Sequence, residues 1–154
     1  MEGQFSSIGR SISIIDRLMK MYYNHALEDF CIGWGQQFYV EYLYDHPGAS
    51  AQEMTECIRV DKATLTKVVR KLSQMGFLEI RPDESDRRIK HLYLTEQALP
   101  AARRIKEVHA SFYETLSGTI PSEKLEQAEQ VLEQIMTNIN QKIWHRMEDK
   151  TLKE

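Results

Sequence analysis

Hydrophobic residues recur three or four apart along most of this chain and alternate with polar ones only between residues 77 and 94. The first spacing lines one face of a helix; the second lines one face of a strand. At the N-terminal end Ile8, Ile12, Ile15, Met19, Tyr22 and Ala26 form one stripe, widened by Ile14, Leu18, Met21 and Leu27, which predicts a helix over 5–30. A helix apolar on two faces needs two neighbours. Cys31-Ile-Gly-Trp-Gly35 interrupts it, and Phe38, Val40, Tyr42 and Leu43 carry a second helix over Gln36 to Asp45, stopped by His46-Pro-Gly48.

A denser stretch follows. Ser50-Ala-Gln-Glu53 has the spacing of a capping box and opens a short helix over 51–58. Asp61 caps the next one, in which Leu65, Val68, Val69, Leu72 and Met75 share a face while Lys62, Thr64, Thr66, Lys67, Arg70 and Lys71 fill most of the remainder. Gly76 ends it in a position that favours positive φ. Phe77 to Arg81 reads as a strand, Pro82-Asp-Glu-Ser-Asp86 cannot continue one, and Ile89 to Leu94 returns as its antiparallel partner.

Thr95 can cap a helix running to about Ser117, with Pro100 in its second turn removing a donor and bending it. Gly118 and Pro121 punctuate. A last helix over 122–148 repeats Leu125, Ala128, Leu132, Ile135, Ile139 and Ile143, with Val131, Met136, Trp144 and Met147 alongside. The expected fold is therefore mainly α with a small β-hairpin wing (α+β). One domain spans 1–154, with a winged helix-turn-helix lobe over 36–95 and helical regions over 5–30 and 96–148. The long helices offer more apolar surface than so small a lobe can cover, and a homodimer is the economical solution.

Composition adds limits. A hydrophobic content of 42% suffices for a core. No apolar run approaches the roughly 18 residues of a membrane span, and no basic region precedes an apolar block at the N-terminus, so a cytoplasmic protein is expected. Cys31 and Cys57 are too few for a disulfide framework or a zinc cluster and are expected as reduced, mostly buried thiols. His25, Cys31, Glu41, His46, Glu107 and His109 include no pair with metal-site spacing, so no metal and no cofactor are expected. The chain also lacks a Gly-rich phosphate loop, a nucleophile elbow and paired carboxylates in an apolar setting, which argues against an enzyme.

The net charge of -3 would speak against nucleic acid if it were spread evenly. It is not. From Arg59 to His91 there are nine Lys or Arg against five Asp or Glu, which leaves the acidic surplus on the rest of the chain. A helix entering the major groove puts its N-terminal half nearest the base edges, and Lys62, Thr64, Thr66 and Lys67 supply the donors, acceptors and methyl groups needed there. Arg70, a turn further on, suits a phosphate, and Lys71 extends the same cationic surface.

On Val60-Asp-Lys-Ala-Thr-Leu-Thr-Lys67, on Leu72 with Gly76-Phe-Leu-Glu-Ile-Arg81, and on Asp83-Glu-Ser-Asp-Arg-Arg88 before Leu94-Thr95, the chain resembles the MarR family of bacterial transcription regulators. The resemblance covers nearly the whole chain. It implies a homodimer knitted by the first helix and the last two, bound to a pseudo-palindromic stretch of double-stranded DNA, usually as a repressor. It also implies that Arg88 enters the minor groove, that Asp86 orients it and that Arg87 meets phosphate. Many members of that family release DNA when a small aromatic compound lodges between the dimer helices and the lobe. Tyr22, Trp34, Phe38 and Tyr42 are the candidates for lining such a cleft, although aromatics at helical spacing also serve as core. Two other readings stay open: a winged lobe that binds protein instead of DNA, and a redox- or metal-responsive regulator, for which neither cysteine has a flanking basic pair.

Overall fold

The computed structural model describes residues 2–151, and the side chains of residues 7–141. The elements are α1 (Glu2–Ala26), a 3-10 turn (Glu28–Phe30), α2 (Gln37–Asp45), β1 (Ala49–Ser50), α3 (Ala51–Ile58), α4 (Lys62–Gln74), β2 (Leu78–Pro82), β3 (Lys90–Leu94), a second 3-10 turn (Glu96–Ala98), α5 (Leu99–Ser117) and α6 (Ser122–Thr151). The chain divides into two compact units, residues 1–110 and 111–154, with the dividing point inside α5. No helix among the described residues is long and apolar enough to cross a membrane.

Local chemistry explains most boundaries of the first unit. The Ser50 hydroxyl accepts from the Glu53 amide at 3.2 Å while the Ser50 amide donates to the Glu53 carboxylate at 2.7 Å, closing the box that starts α3. These bonds hold the Glu53 carboxyl below the usual carboxylate range. Asp61 starts α4 by accepting from the Thr64 amide at 2.8 Å. Gly76, at φ +74, ends it.

Four expectations need correction. The first helix stops at Ala26, because Leu27 leaves helical geometry at φ -118, ψ 12 and a 3-10 turn takes over. The wing is not a lone hairpin: β1 pairs with β3, giving a three-stranded antiparallel sheet in the order β1-β3-β2. An N-cap residue is extended in any case, and one further residue, the buried Ala49, is enough to make the strand. Thr95 does not cap through its side chain; its hydroxyl donates to the Gly76 carbonyl at 2.6 Å instead. Pro100 does not break a bond, since the 3-10 turn before it places it second in α5, where a missing N–H has no intrahelical acceptor to lose.

The core lies entirely between Tyr23 and Val108 among the described residues. Leu65 and Leu72 of α4, Met54 of α3, Val40 and Leu43 of α2, Leu78 and Leu92 of the sheet, and Ala98, Ala101, Ala102 and Ile105 around the start of α5 are all buried. Val68, Val69 and Met75 are half-buried at the edge of the α4 contact. The start of α5 is stitched to the end of α4. Besides the Thr95–Gly76 bond, the Thr95 amide donates to the Phe77 carbonyl at 3.0 Å and the Gln97 amide group to the Met75 carbonyl at 3.3 Å.

The long-helix stripes are exposed. Ile8, Ile12, Ile15, Leu18 and Met21 stand between 41% and 69% accessible on α1, and Val131, Leu132, Met136 and Ile139 between 44% and 59% on α6. Ile143, Trp144 and Met147 lie outside the described side chains. Both cysteines are exposed, contrary to the expectation of burial. Cys31 follows the 3-10 turn at φ 54, and Cys57, one turn after the buried Met54 of α3, lines an open groove beside Tyr42.

Gly48 shows how tightly the sheet edge is closed. It has φ +84, and a Cβ there would come within 2.8 Å of the Tyr93 hydroxyl oxygen. We expect Gly48→Ala to lower the unfolding free energy by about 1–2 kcal/mol from the left-handed backbone alone, read as a shifted urea midpoint at unchanged slope. An unchanged midpoint would mean that the turn relaxes freely.

Candidate nucleic-acid interface

Leu65, Leu72 and the valines turn one side of α4 inward, so the opposite side is set by helical geometry. Lys62, Thr64, Thr66, Lys67, Arg70 and Lys71 are all exposed there. Ala63, which the sequence reading passed over, also stands exposed near the middle of this face, one turn before Lys67. Its missing bulk lets the helix approach closely, and its methyl group can meet a thymine methyl. A single alanine carries no periodic or charge signal, so only the helix geometry picks it out.

The two threonines do less donating than their hydroxyls suggest. Thr64 gives its hydroxyl proton to Asp61 at 2.6 Å, and Thr66 gives its own to the Lys62 carbonyl one turn back at 2.7 Å. What they offer outward is a methyl group and an acceptor oxygen. Lys71 is drawn sideways, donating to the Gln36 side chain just before α2 at 2.9 Å. Lys62, Lys67 and Arg70 enter no ion pair among the described residues. Asp61 is held below the usual carboxylate range by its bonds to Thr64, so the helix start keeps its cap.

The wing tip is built by carboxylates. The Asp83 amide donates to the Ile89 carbonyl at 2.9 Å, closing the loop, and the Ile89 amide donates to the Asp86 carbonyl at 2.9 Å across a tight turn. Asp86 then holds Arg88 by a two-pronged clasp, with Nε 3.0 Å from Oδ1 and Nη2 2.8 Å from Oδ2, and accepts the Arg88 amide at 3.0 Å as well. The Arg88 side chain is 91% exposed. These bonds pull the Asp86 carboxyl down and push the Arg88 guanidinium up from their ordinary values, so both stay charged. Arg87 is exposed at the same tip. Lower on the wing, Arg81 pairs with Glu79 at 2.9 Å and lies 4.5 Å over the Tyr93 ring.

The aromatic candidates fall into two groups. Trp34 and Phe38 meet at 5.6 Å between ring centroids, and both reach rings absent from the sequence reading of the cleft: Trp34 lies 5.2 Å from Tyr23, and Phe38 6.2 Å from His109. Tyr22 touches this group edge-on to Tyr23 at 5.7 Å. Burial, with Glu41 nearby, pushes the Tyr23 phenol up to about 12, so it stays protonated. Tyr42 turns elsewhere, stacking on His46 at 4.5 Å and lining an open groove of about 420 Å³ with Phe38, Glu41, Asp45 and Cys57.

His109 gives the aromatic group a polar edge: its Nδ1 is 2.9 Å from Glu41, and its Nε2 has no partner among the described residues, as is true of both side-chain polar atoms of Gln37, which is fully buried on α2. Of the histidine and carboxylate candidates, His109 and Glu41 approach one another while His25 pairs instead with Glu28, and no group of three metal-binding side chains gathers among the described residues. Pairings such as His109 with Glu41, 68 residues apart, have no short-range signature in a sequence.

Residues 33–90 match the MarR family. The chain is 32% identical to an uncharacterised HTH-type transcriptional regulator, YybA, of Bacillus subtilis (strain 168), over 87% of its own length and 89% of the relative's. Its fold is similar to that of a MarR protein from Peptoclostridium difficile, at a TM-score of 0.79 and 24% identity over 87% of this chain and 88% of the other. It is also similar to S. aureus MepR, solved as a complex with DNA, at a TM-score of 0.76 and 22% identity over 88% and 97% of the two chains.

Proposed function

The chain belongs to the MarR family of DNA-binding transcriptional regulators, and from that premise we propose that it is a cytoplasmic homodimer that grips a pseudo-palindromic operator, most simply as a repressor. The observation that carries this reading is the clasp of Asp86 on a nearly fully exposed Arg88, standing beside a capped helix whose outer face is cationic and polar. An arginine held in one pose loses little freedom on entering a narrow minor groove, where the potential is most negative.

On α4, Lys67 donates to a guanine edge, Ala63, Thr64 and Thr66 meet methyl groups or donors of neighbouring bases, and Lys62, Arg70 and Arg87 bind phosphate. Lys71 braces the helix against Gln36 and adds charge. The exposed stripe on α1 is the kind of apolar area that an obligate dimer covers, and the stripe on α6 offers a second such area. A small aromatic effector is supported by the aromatic group around Trp34 and Phe38, edged by the unpartnered Nε2 of His109. Tyr42 belongs to the adjoining groove, and Tyr22 to the rim.

Footprinting on the region upstream of the protein's own coding sequence tests the reading. Binding should protect two half-sites about one helical turn apart. It should also weaken steeply with salt, with a log-log slope of about -0.9 for each phosphate neutralised. A flat salt response, or no protection at low ionic strength, would remove DNA as the partner.

A further inference from the structure

One polar network in the wing is better sheltered than its neighbours. The His91 side chain is 30% exposed and that of its partner Asp83 28%, against 91% for Arg88. His91 stands on the central strand β3, in register with Ser50 of β1 and Arg81 of β2. Its Nδ1 lies 2.7 Å from the Gly48 carbonyl oxygen and its Nε2 2.9 Å from Asp83 Oδ2. A carbonyl and a carboxylate can only accept. The ring therefore makes both bonds only when both nitrogens carry protons, which is the imidazolium form.

Asp83 passes the restraint on. Its Oδ1 accepts from the Ser85 amide at 2.8 Å, the Ser85 hydroxyl at 2.6 Å and the Asp86 amide at 3.0 Å, and so shapes the turn from which Asp86 clasps Arg88. A continuous path of hydrogen bonds thus runs from Gly48, through His91 and Asp83, to the arginine at the tip.

We propose that His91 is a positioning residue and a proton switch for the wing: as a cation it fastens the base of the tip to the lobe and presents Arg88 to DNA, and on losing a proton it gives up one of its two bonds and loosens that presentation. This rests on the DNA-binding reading of the same wing.

The groups that face the ring favour the cation. Asp83 of the tip bonds it, and Glu53 of α3 adds a second carboxylate nearby. Of the basic side chains around it, Arg81 across the sheet is engaged by Glu79 and stacked on Tyr93, Lys90 precedes it on the strand and points to the other face, and His46 stacks on Tyr42. The bond to Asp83, then that to Gly48, raises the His91 pKa from its ordinary value. Because the folded value is raised, the fastened state is complete below the ordinary pKa of about 6.5 and is lost as pH climbs through the raised one. Operator affinity should fall over the same window.

The experiment measures operator binding by fluorescence anisotropy at constant ionic strength from about pH 6 to about pH 8.5, for the parent and for His91→Asn. The parent should lose affinity about fivefold for each wing, the scale expected when one ordinary hydrogen bond is surrendered. His91→Asn should give a nearly flat profile close to the parent's alkaline value. Parallel profiles in parent and variant, or a flat parent, would overturn the proposal.

Nitrogen-detected NMR of the parent supplies a reading that needs neither DNA nor a foldable variant. Both ring nitrogens of His91 should be protonated near pH 6, and the Arg88 Nε–H resonance should shift with the midpoint of the ring. A neutral ring near pH 6, or an Arg88 resonance indifferent to the His91 titration, would also overturn it. A parent that binds no operator at any pH sinks the DNA-binding reading instead, and the Arg88 resonance still reports whether the switch exists.

Discussion

Arg88→Ala is expected to weaken operator binding by about tenfold for each wing, and so by about a hundredfold for a dimer that uses two, with the loss concentrated on operators whose minor groove is narrow and A·T-rich. The size follows from geometry. Arg88 is 91% exposed, and its one side-chain partner among the described residues is Asp86, so its removal takes nothing from the core and should leave the thermal midpoint where it was. What disappears is a charged fork already held in the pose that a groove would accept. Asp86→Asn separates holding from contact: it keeps the guanidinium and removes the charged clasp, so its loss should be smaller and mainly in dissociation rate. Equal affinities of Arg88→Ala and the parent across a salt series would show that the wing tip does not touch DNA.

Ile15→Glu is expected to abolish the dimer at micromolar concentration, raising its dissociation constant at least a hundredfold, and to remove operator binding with it. Ile15 is 51% exposed on α1, in line with Ile8, Ile12 and Leu18. Burying such a side chain contributes about 1.5–3 kcal/mol, and two-fold symmetry counts every substitution twice. A carboxylate placed in an apolar interface costs more than the isoleucine gave unless it finds a partner. Glutamate is a good helix former and the site is accessible, so the helix itself should survive. Sedimentation velocity on parent and variant decides the matter: a monomeric parent would end the dimer proposal, and an unaffected variant dimer would move the interface off this stripe.

The sequence was most informative where a structure is made by neighbours. The boxes at Ser50 and Asp61, the glycine after α4 and the spacing of Leu65 and Leu72 are local chemistry, and the helices and strands they frame are present with small shifts at their ends. The Asp86–Arg88 pair spans two residues and was legible for the same reason.

Distance in sequence marks where that legibility failed. The third strand needed Ala49 to meet Leu92, Thr95 chose Gly76 over its own helix, and His91 found Gly48 across 43 residues. A hydroxyl or an imidazole has many partners within reach once the chain folds, and no periodicity says which it takes. The cysteines failed differently: their usual burial is a tendency of the residue type, and a left-handed turn at Cys31 and an open groove at Cys57 overrode it.

The stitching of Thr95 and Gln97 onto Met75, Gly76 and Phe77 has a mechanical consequence. The trailing end of α4 and the leading turn of α5 share three hydrogen bonds and a common core, so neither can tilt without carrying the other. In the proposed dimer, a motion that reached this block would carry both of its ends together and so alter the separation between the paired reading heads. Binding by the proposed dimer should then be sensitive to half-site spacing, and lengthening the gap by a base pair or two should weaken it.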